Sequence, residues 1–206
     1  MKKKNNTNKK LVLNSGCGFH NPEKLPMLFR SAKWQEIRVD IDPQVKPDVV
    51  TSTTDLSHFQ ANSIDAVYSS HNLEHLYIHD VETALGEFVR VLKPQGFVLI
   101  TLPDLQAIAQ KIVDGDLDNT AYTSNMGAIT AFDMLYGHKQ SLLQGNTYMA
   151  HNSGYTATSL GQLLLACGFK DIRVKKGNNF DLWAVALKEK DDFGFFDWFS
   201  QQNINL

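Results

Sequence analysis

Cysteine is scarce in this chain: Cys17 and Cys167 are the only two, each in an apolar context. That excludes a disulfide scaffold or a cysteine-rich metal centre and leaves two small buried fillers. Long apolar runs are missing too. Nothing approaches the roughly 18 residues of a membrane span, and the first residues lack the hydrophobic region of a signal peptide. No membrane partner is expected, and the chain reads as soluble and cytoplasmic. A basic surplus is absent from all but the extreme N-terminus, where Lys2, Lys3, Lys4, Lys9 and Lys10 fall within the first ten positions. Fifteen basic residues then face twenty-two acidic ones from Leu11 onward, a net charge near −7. Such a body repels polyanions, so no nucleic-acid partner is expected. Residues 1–10 are polar and without periodicity, and read as a disordered basic tail.

What remains is enough for one globular domain: 206 residues, 43% of them hydrophobic. Leu11-Val12-Leu13 is a short apolar strand that breaks off into Asn14-Ser15-Gly16-Cys17-Gly18. The interval from about Glu23 to Ala32 places Leu25, Leu28 and Phe29 at helical spacing. Ile37 to Ile41, Asp48 to Val50 and Ile64 to Ser70 read as further strands. Asp80 is a plausible N-cap for a helix to about Leu92, with Val81, Leu85, Phe88, Val89 and Leu92 as its apolar stripe. Lys93-Pro94-Gln95-Gly96 stops it, and Phe97 to Leu102 is the nearly unbroken apolar run of a strand buried on both faces.

Beyond Pro103 the pattern gives a helix over about 104–113, an unassigned stretch over 120–155, a helix over 158–167 and two closing strands, 172–174 and 182–187, as an antiparallel pair at a sheet edge. Five aromatics crowd the last residues, DDFGFFDWFSQQNINL, which either dock on the body or meet a partner. Strands alternating with helices make an α/β fold whose ligands bind at the carboxyl ends of the strands. That points to the loops beginning near Asn14, Asp40, Asp55 and Ser70, and after Leu102.

Glycines at 16 and 18 let the backbone approach a ligand closely, and Asp40, closing the second strand, can accept hydrogen bonds from ribose hydroxyls. Asp42 competes for that role. The ligand is therefore a nucleoside. A dinucleotide fits poorly, because Asn21 stands where the fingerprint wants glycine and Pro22 interrupts the following helix.

These segments resemble, in order, those of the class I S-adenosylmethionine-dependent methyltransferases, particularly the small single-domain members. LVLNSGCGFH is similar to the family's glycine motif, VDIDP to its second-strand acidic motif and TTDLSHF to the Asp-Leu that flanks adenine. NSIDAVYSSHNLEHL is similar to the fourth-strand segment and LKPQGFVLITLPD to the fifth. The resemblance implies a Rossmann-like, doubly wound, mostly parallel seven-stranded sheet with an antiparallel edge strand. It implies a single domain over 11–190, with a cofactor half, 11–104, a substrate half, 105–190, and an aromatic tail, 191–206.

The cofactor so implied is S-adenosyl-L-methionine. Asn14, Ser15, Gly16 and Gly18 would hold its methionine end, Asp40 the ribose hydroxyls, Ile41 the adenine face, and Asp55 and Leu56 the adenine edge. Ser70 and His71 would lie under the sulfonium. Asn14 departs from the acidic residue usual in the family, and His20 stands where a third glycine is frequent. The expected acceptor is a small molecule, methylated on O or N by a monomer or homodimer. A non-catalytic protein of the same fold is the rival reading.

His71, at the end of the fourth strand, is the candidate general base, with His138 the second catalytic candidate. His151, Tyr148 and Tyr155 are candidates for the substrate side. His71, Glu74 and His75 also spell a zinc-peptidase pattern, which needs both histidines on one helix and a third ligand. Because the histidines start a loop, no metal is expected; Glu74 and His75 would cap and pack the next turn, and His79 would be exposed.

Overall fold

The computed structural model describes residues 9–124 and 126–201. Most of the expected basic tail, and residues 202–206 of the aromatic segment, lie outside them. β1 (Lys10–Ser15), β2 (Trp34–Asp40), β3 (Val49–Val50), β4 (Ile64–Ser70) and β5 (Leu92–Pro103) run parallel. β6 (Thr120–Ser124) and β7 (Gly127–Thr130) form a separate hairpin. β8 (Asp171–Lys176) and β9 (Asp181–Leu187) are antiparallel to each other, and β9 is antiparallel to β5. The sheet has seven strands in the order β3-β2-β1-β4-β5-β9-β8. The expected fold is present, with reversed β9 one place in from the edge.

Alternation along the strands divides the core between the two faces of the sheet. Leu13, Val67 and Ile100 face one way, under α1 (Ile78–Val91) and, after α2 (Leu105–Val113), α3 (Ala131–Tyr136) and α4 (Lys139–Leu143), under α5 (Ala157–Ala166). Val12, Ala66 and Leu99 face the other way, with Phe29, Trp34 and the aromatics of α6 (Phe195–Ser200). Phe195, Phe196 and Phe199 are buried there, and Phe195 lies 4.8 Å from Phe97, centroid to centroid. Burying such side chains contributes about 1.5–3 kcal/mol each. A smaller cluster of Ile108, Ile129, Ala131 and Met134 joins α2, β7 and α3 beside the strand ends. No helix of the described residues is long and apolar enough to cross a membrane.

Some local expectations need correction. The stretch 23–32 makes only a 3-10 turn, Met27–Arg30; Pro26 lacks an N–H and disfavours helical backbone at Leu25. Asp80 is not the cap of α1, whose N-cap is Tyr77; Asp80 lies in its first turn, where a negative charge suits the helix dipole. Lys93 to Gly96 stay inside β5 across a register shift between Ile64 and Ala66 of β4. Both cysteines are half-buried, not fully enclosed. The unassigned 120–155 interval holds the β6–β7 hairpin and two short helices, α3 and α4, none long enough to show a period.

Candidate active site

β1, β2 and β4 end side by side, and the loop after β1 is shaped by them. The Gly16 and Cys17 amides both donate to the Val39 carbonyl, at 3.0 and 3.1 Å. Gly16 and Gly18 take φ of +68° and +58°, a region costly for residues with a Cβ. The Gly18 amide donates to Asp40 Oδ2 at 2.8 Å, the Asp42 amide donates to Asp40 Oδ1 at 3.0 Å, and Arg38 Nη2 donates to the Gly18 carbonyl at 2.6 Å. Asp40 therefore organises the loop from the tip of β2, while Asp42 uses its own carboxylate on the Gln44 amide. Ile41 beside it is 50% exposed, an uncovered apolar surface at the rim.

A polar layer under this loop was not legible in the sequence. The Ser15 and Thr53 hydroxyls are 3.0 Å apart, and Asn72 Nδ2 donates to Thr53 Oγ1 and Ser69 Oγ. A Cβ added at Gly16 would stand 2.5 Å from Asn72 Cγ, whereas one at Gly18 would meet nothing within 4 Å. Ser15 is fully buried, with its hydroxyl engaged by Thr53. Asn14 donates from its carboxamide to Glu36 Oε1 at 2.7 Å. Asp55 is exposed, its carboxyl held below the ordinary value by the Ser57 hydrogen bond. Leu56 is fully buried and gives its amide to Glu87 Oε2 at 2.7 Å, so neither its side chain nor its amide is open to a ligand in this structure.

His71 begins the loop after β4. Its φ is +47°, its amide donates to the Thr101 carbonyl, and its ring is half-exposed. Next to it the hydroxyls of Ser70 and Thr101 lie 3.0 Å apart. His71 Nδ1 stands 3.3 Å from Oε1 of Glu74, which is 1% exposed. Partial loss of solvent around the half-exposed His71 ring pushes it toward its neutral form, but the adjoining Glu74 carboxylate outweighs that and holds it above the usual histidine value. Burial likewise opposes ionisation of Glu74, and the His71 contact overrides it and lowers its carboxyl.

Leu73–His75 is a 3-10 turn and α1 begins only at Ile78, so His71 and His75 share no helix. The structure instead brings His151 to Glu74 and His75. His75 Nδ1 lies 3.0 Å from the Ala150 carbonyl and His151 Nδ1 2.9 Å from the Met134 carbonyl, with the rings 4.9 Å apart. The Asn152 and Ser153 amides donate to the Glu74 carbonyl, which fixes the two segments together. Glu74 and His151 line a cavity of about 230 Å³ bounded by Leu102 and Pro103 of β5, α2 and α3. His138 stays outside this group, 2.8 Å from the Ser141 hydroxyl at the start of α4. Tyr155 is buried, Tyr148 is exposed, and His79 is exposed.

Residues 13–100 match the family described as methyltransferase domain. No curated protein matches the chain in sequence. Among solved structures it is similar to a SAM-dependent methyltransferase from Archaeoglobus fulgidus, at 15% identity and a TM-score of 0.59 over 87% of this chain and 86% of that one. A SAM-dependent methyltransferase from Methanosarcina mazei gives 18% identity and 0.57, over 89% and 94% of the two chains. The Burkholderia thailandensis 1,6-didemethyltoxoflavin-N1-methyltransferase, solved with 1,6-didemethyltoxoflavin and S-adenosylhomocysteine, gives 16% and 0.55, over 88% and 72%. At these identities the likeness is one of fold.

Proposed function

We propose, from the match of residues 13–100 to the methyltransferase-domain family, that the chain transfers a methyl group from S-adenosyl-L-methionine to an O or N atom of a small molecule. The observation that carries the reading is the contact between Asp40 and Gly18, which holds a left-handed glycine loop against an acidic strand end. The space beside Gly18 and the uncovered Ile41 side chain fit the cofactor's methionine and adenine portions, and each Asp40 oxygen keeps a lone pair for the ribose hydroxyls. Asn14 and Leu56 fit less well, being engaged with Glu36 and Glu87.

When bound, the cofactor supplies an electrophilic methyl on a cationic sulfur. The protein's part is to place the acceptor in line with it, which accounts for much of the acceleration in such displacements. The Gly16–Gly18 loop and Asp40 would hold the donor, which would supply the methyl group to the acceptor lone pair and keep the electron pair of the broken carbon–sulfur bond. His71, in its neutral form, takes the acceptor's proton, and Glu74 stabilises the imidazolium that results. The cavity beyond β5 is the acceptor side; its volume of about 230 Å³ suits a small molecule. The Burkholderia neighbour, which by its description acts on a small heterocycle, supports that class.

The full chain, incubated with methyl-labelled cofactor and a small-molecule extract, should place label in the low-molecular-weight fraction, and an Asp40→Ala variant should not. Bound cofactor with no transfer to any fraction would sink the enzymatic reading in favour of a binding protein. Label on macromolecules alone would overturn the acceptor class.

A further inference from the structure

Glu74 is a buried carboxylate whose two oxygens have no hydrogen-bond partner, with only the His71 ring, 3.3 Å away, facing Oε1. Such a group is costly unless it is paired or bound to a cation. Two further ligating groups converge on it: one ligand atom from each of Glu74, His75 and His151 lies within 4.8 Å of the other two. Both imidazoles are set in the same tautomer, because each Nδ1 faces a backbone carbonyl, which can only accept. Each Nδ1 therefore carries the proton, and each Nε2 keeps its lone pair for a metal. Histidine ligands are commonly oriented this way, through the nitrogen they do not use.

The backbone holds the set in place. The Asn152 carboxamide donates to the His75 carbonyl at 2.8 Å, and the His151 amide donates to the Tyr136 carbonyl at 3.1 Å. The segment carrying His151 is thus tied both to the 3-10 turn that carries Glu74 and His75 and to α3.

We propose that Glu74, His75 and His151 bind one divalent transition-metal ion of the zinc, iron(II) or manganese(II) class. Two imidazoles and a carboxylate match that class, whereas magnesium and calcium favour all-oxygen shells. Three protein ligands leave coordination positions open, as in metal sites that take an exogenous ligand. Glu74 and His151 both line the cavity, so an open position there would receive an oxygen of whatever small molecule enters. If the methyltransferase reading holds, that molecule is the acceptor; ion binding itself does not depend on the reading.

The test uses the untagged full chain, stripped with a chelator and titrated with Co²⁺ as a visible probe and then with Zn²⁺. One Co²⁺ per chain is expected, with ligand-field absorption that Zn²⁺ abolishes. The proton NMR spectrum of the Co²⁺ form should show two paramagnetically shifted exchangeable signals, the Nδ1 protons of His75 and His151. His75→Gln and His151→Gln should each weaken binding by at least the ~10–100-fold typical of changes just outside a metal's ligands, while His79→Gln leaves it unchanged. No binding of either ion by the folded wild-type chain, or a Co²⁺ form without the two shifted signals, would overturn the proposal. Undiminished binding by a folded His75→Gln or His151→Gln variant would overturn it as well. If either variant fails to fold, the wild-type stoichiometry and NMR signals decide. S-adenosylhomocysteine binding measured on the same samples keeps this outcome separate from the methyltransferase reading.

Discussion

The Asp40 carboxylate accepts a hydrogen bond from the Gly18 amide at 2.8 Å, across 22 residues of sequence. One side chain at the tip of β2 thereby sets the shape of the loop after β1 while keeping oxygen lone pairs for a ligand.

Asp40→Asn keeps the size of the side chain but gives up its charge and one acceptor oxygen. A hydrogen bond to a charged group contributes about 1.5–3 kcal/mol. Affinity for S-adenosylhomocysteine should therefore fall by roughly 10–100-fold in calorimetry, while the far-UV circular dichroism spectrum stays unchanged.

Gly16 and Gly18 should respond differently to alanine. Both positions pay the left-handed strain of about 1–2 kcal/mol, but only at 16 does the new Cβ strike Asn72, at 2.5 Å. Urea denaturation should show Gly16→Ala as the more destabilised. Adding Asn72→Ala should recover part of the loss at 16 and none of that at 18, a coupling read from the double-mutant cycle.

Much of this loop could be read from sequence, because glycines and a strand-ending aspartate act locally and their order along the chain is informative. Ile64 to Ser70 was equally legible, an apolar run with a turn signal before it, and β4 has those bounds. What was hidden depends on tertiary contact. Nothing local distinguishes His151 from His138, yet one meets Glu74 and the other Ser141. Nothing local marks Asn72, which covers Gly16 because β1 and β4 are neighbours. The 23–32 segment has helical spacing, but Pro26 overrides it.

Arg90 clamps the turn after β3 onto α1. Its Nε donates to Glu87 Oε1 at 2.6 Å, its Nη atoms donate to the Leu56 and Phe59 carbonyls, and Glu87 accepts from the Leu56 amide. The Arg90 hydrogen bond, ahead of burial's opposing effect, holds the Glu87 carboxyl below its ordinary 4.5. A depressed folded value means that the stabilisation is complete above the unfolded value and is lost as pH falls through the folded one. Glu87→Gln should thus melt below wild type at pH 7, with the gap closing as the pH drops under about 4.

Burial raises the Cys17 thiol from 9.0 to about 11, against the lowering effect of Arg38. Two pH units less thiolate means about a 100-fold slower alkylation by iodoacetamide near neutrality than for a free thiol. In a Cys167→Ala background the rate should climb steadily up to about pH 11, and S-adenosylhomocysteine should slow it further, since Cys17 lies between the two loop glycines. A plateau near pH 8 would contradict the assigned environment.

The central claim, that the loop between β1 and Asp40 binds the methyl donor, is tested most directly by calorimetric titration of the full chain with S-adenosylhomocysteine. One-to-one binding, weakened in Asp40→Asn, is the predicted result. A folded chain that takes up neither S-adenosylhomocysteine nor S-adenosylmethionine would contradict the account.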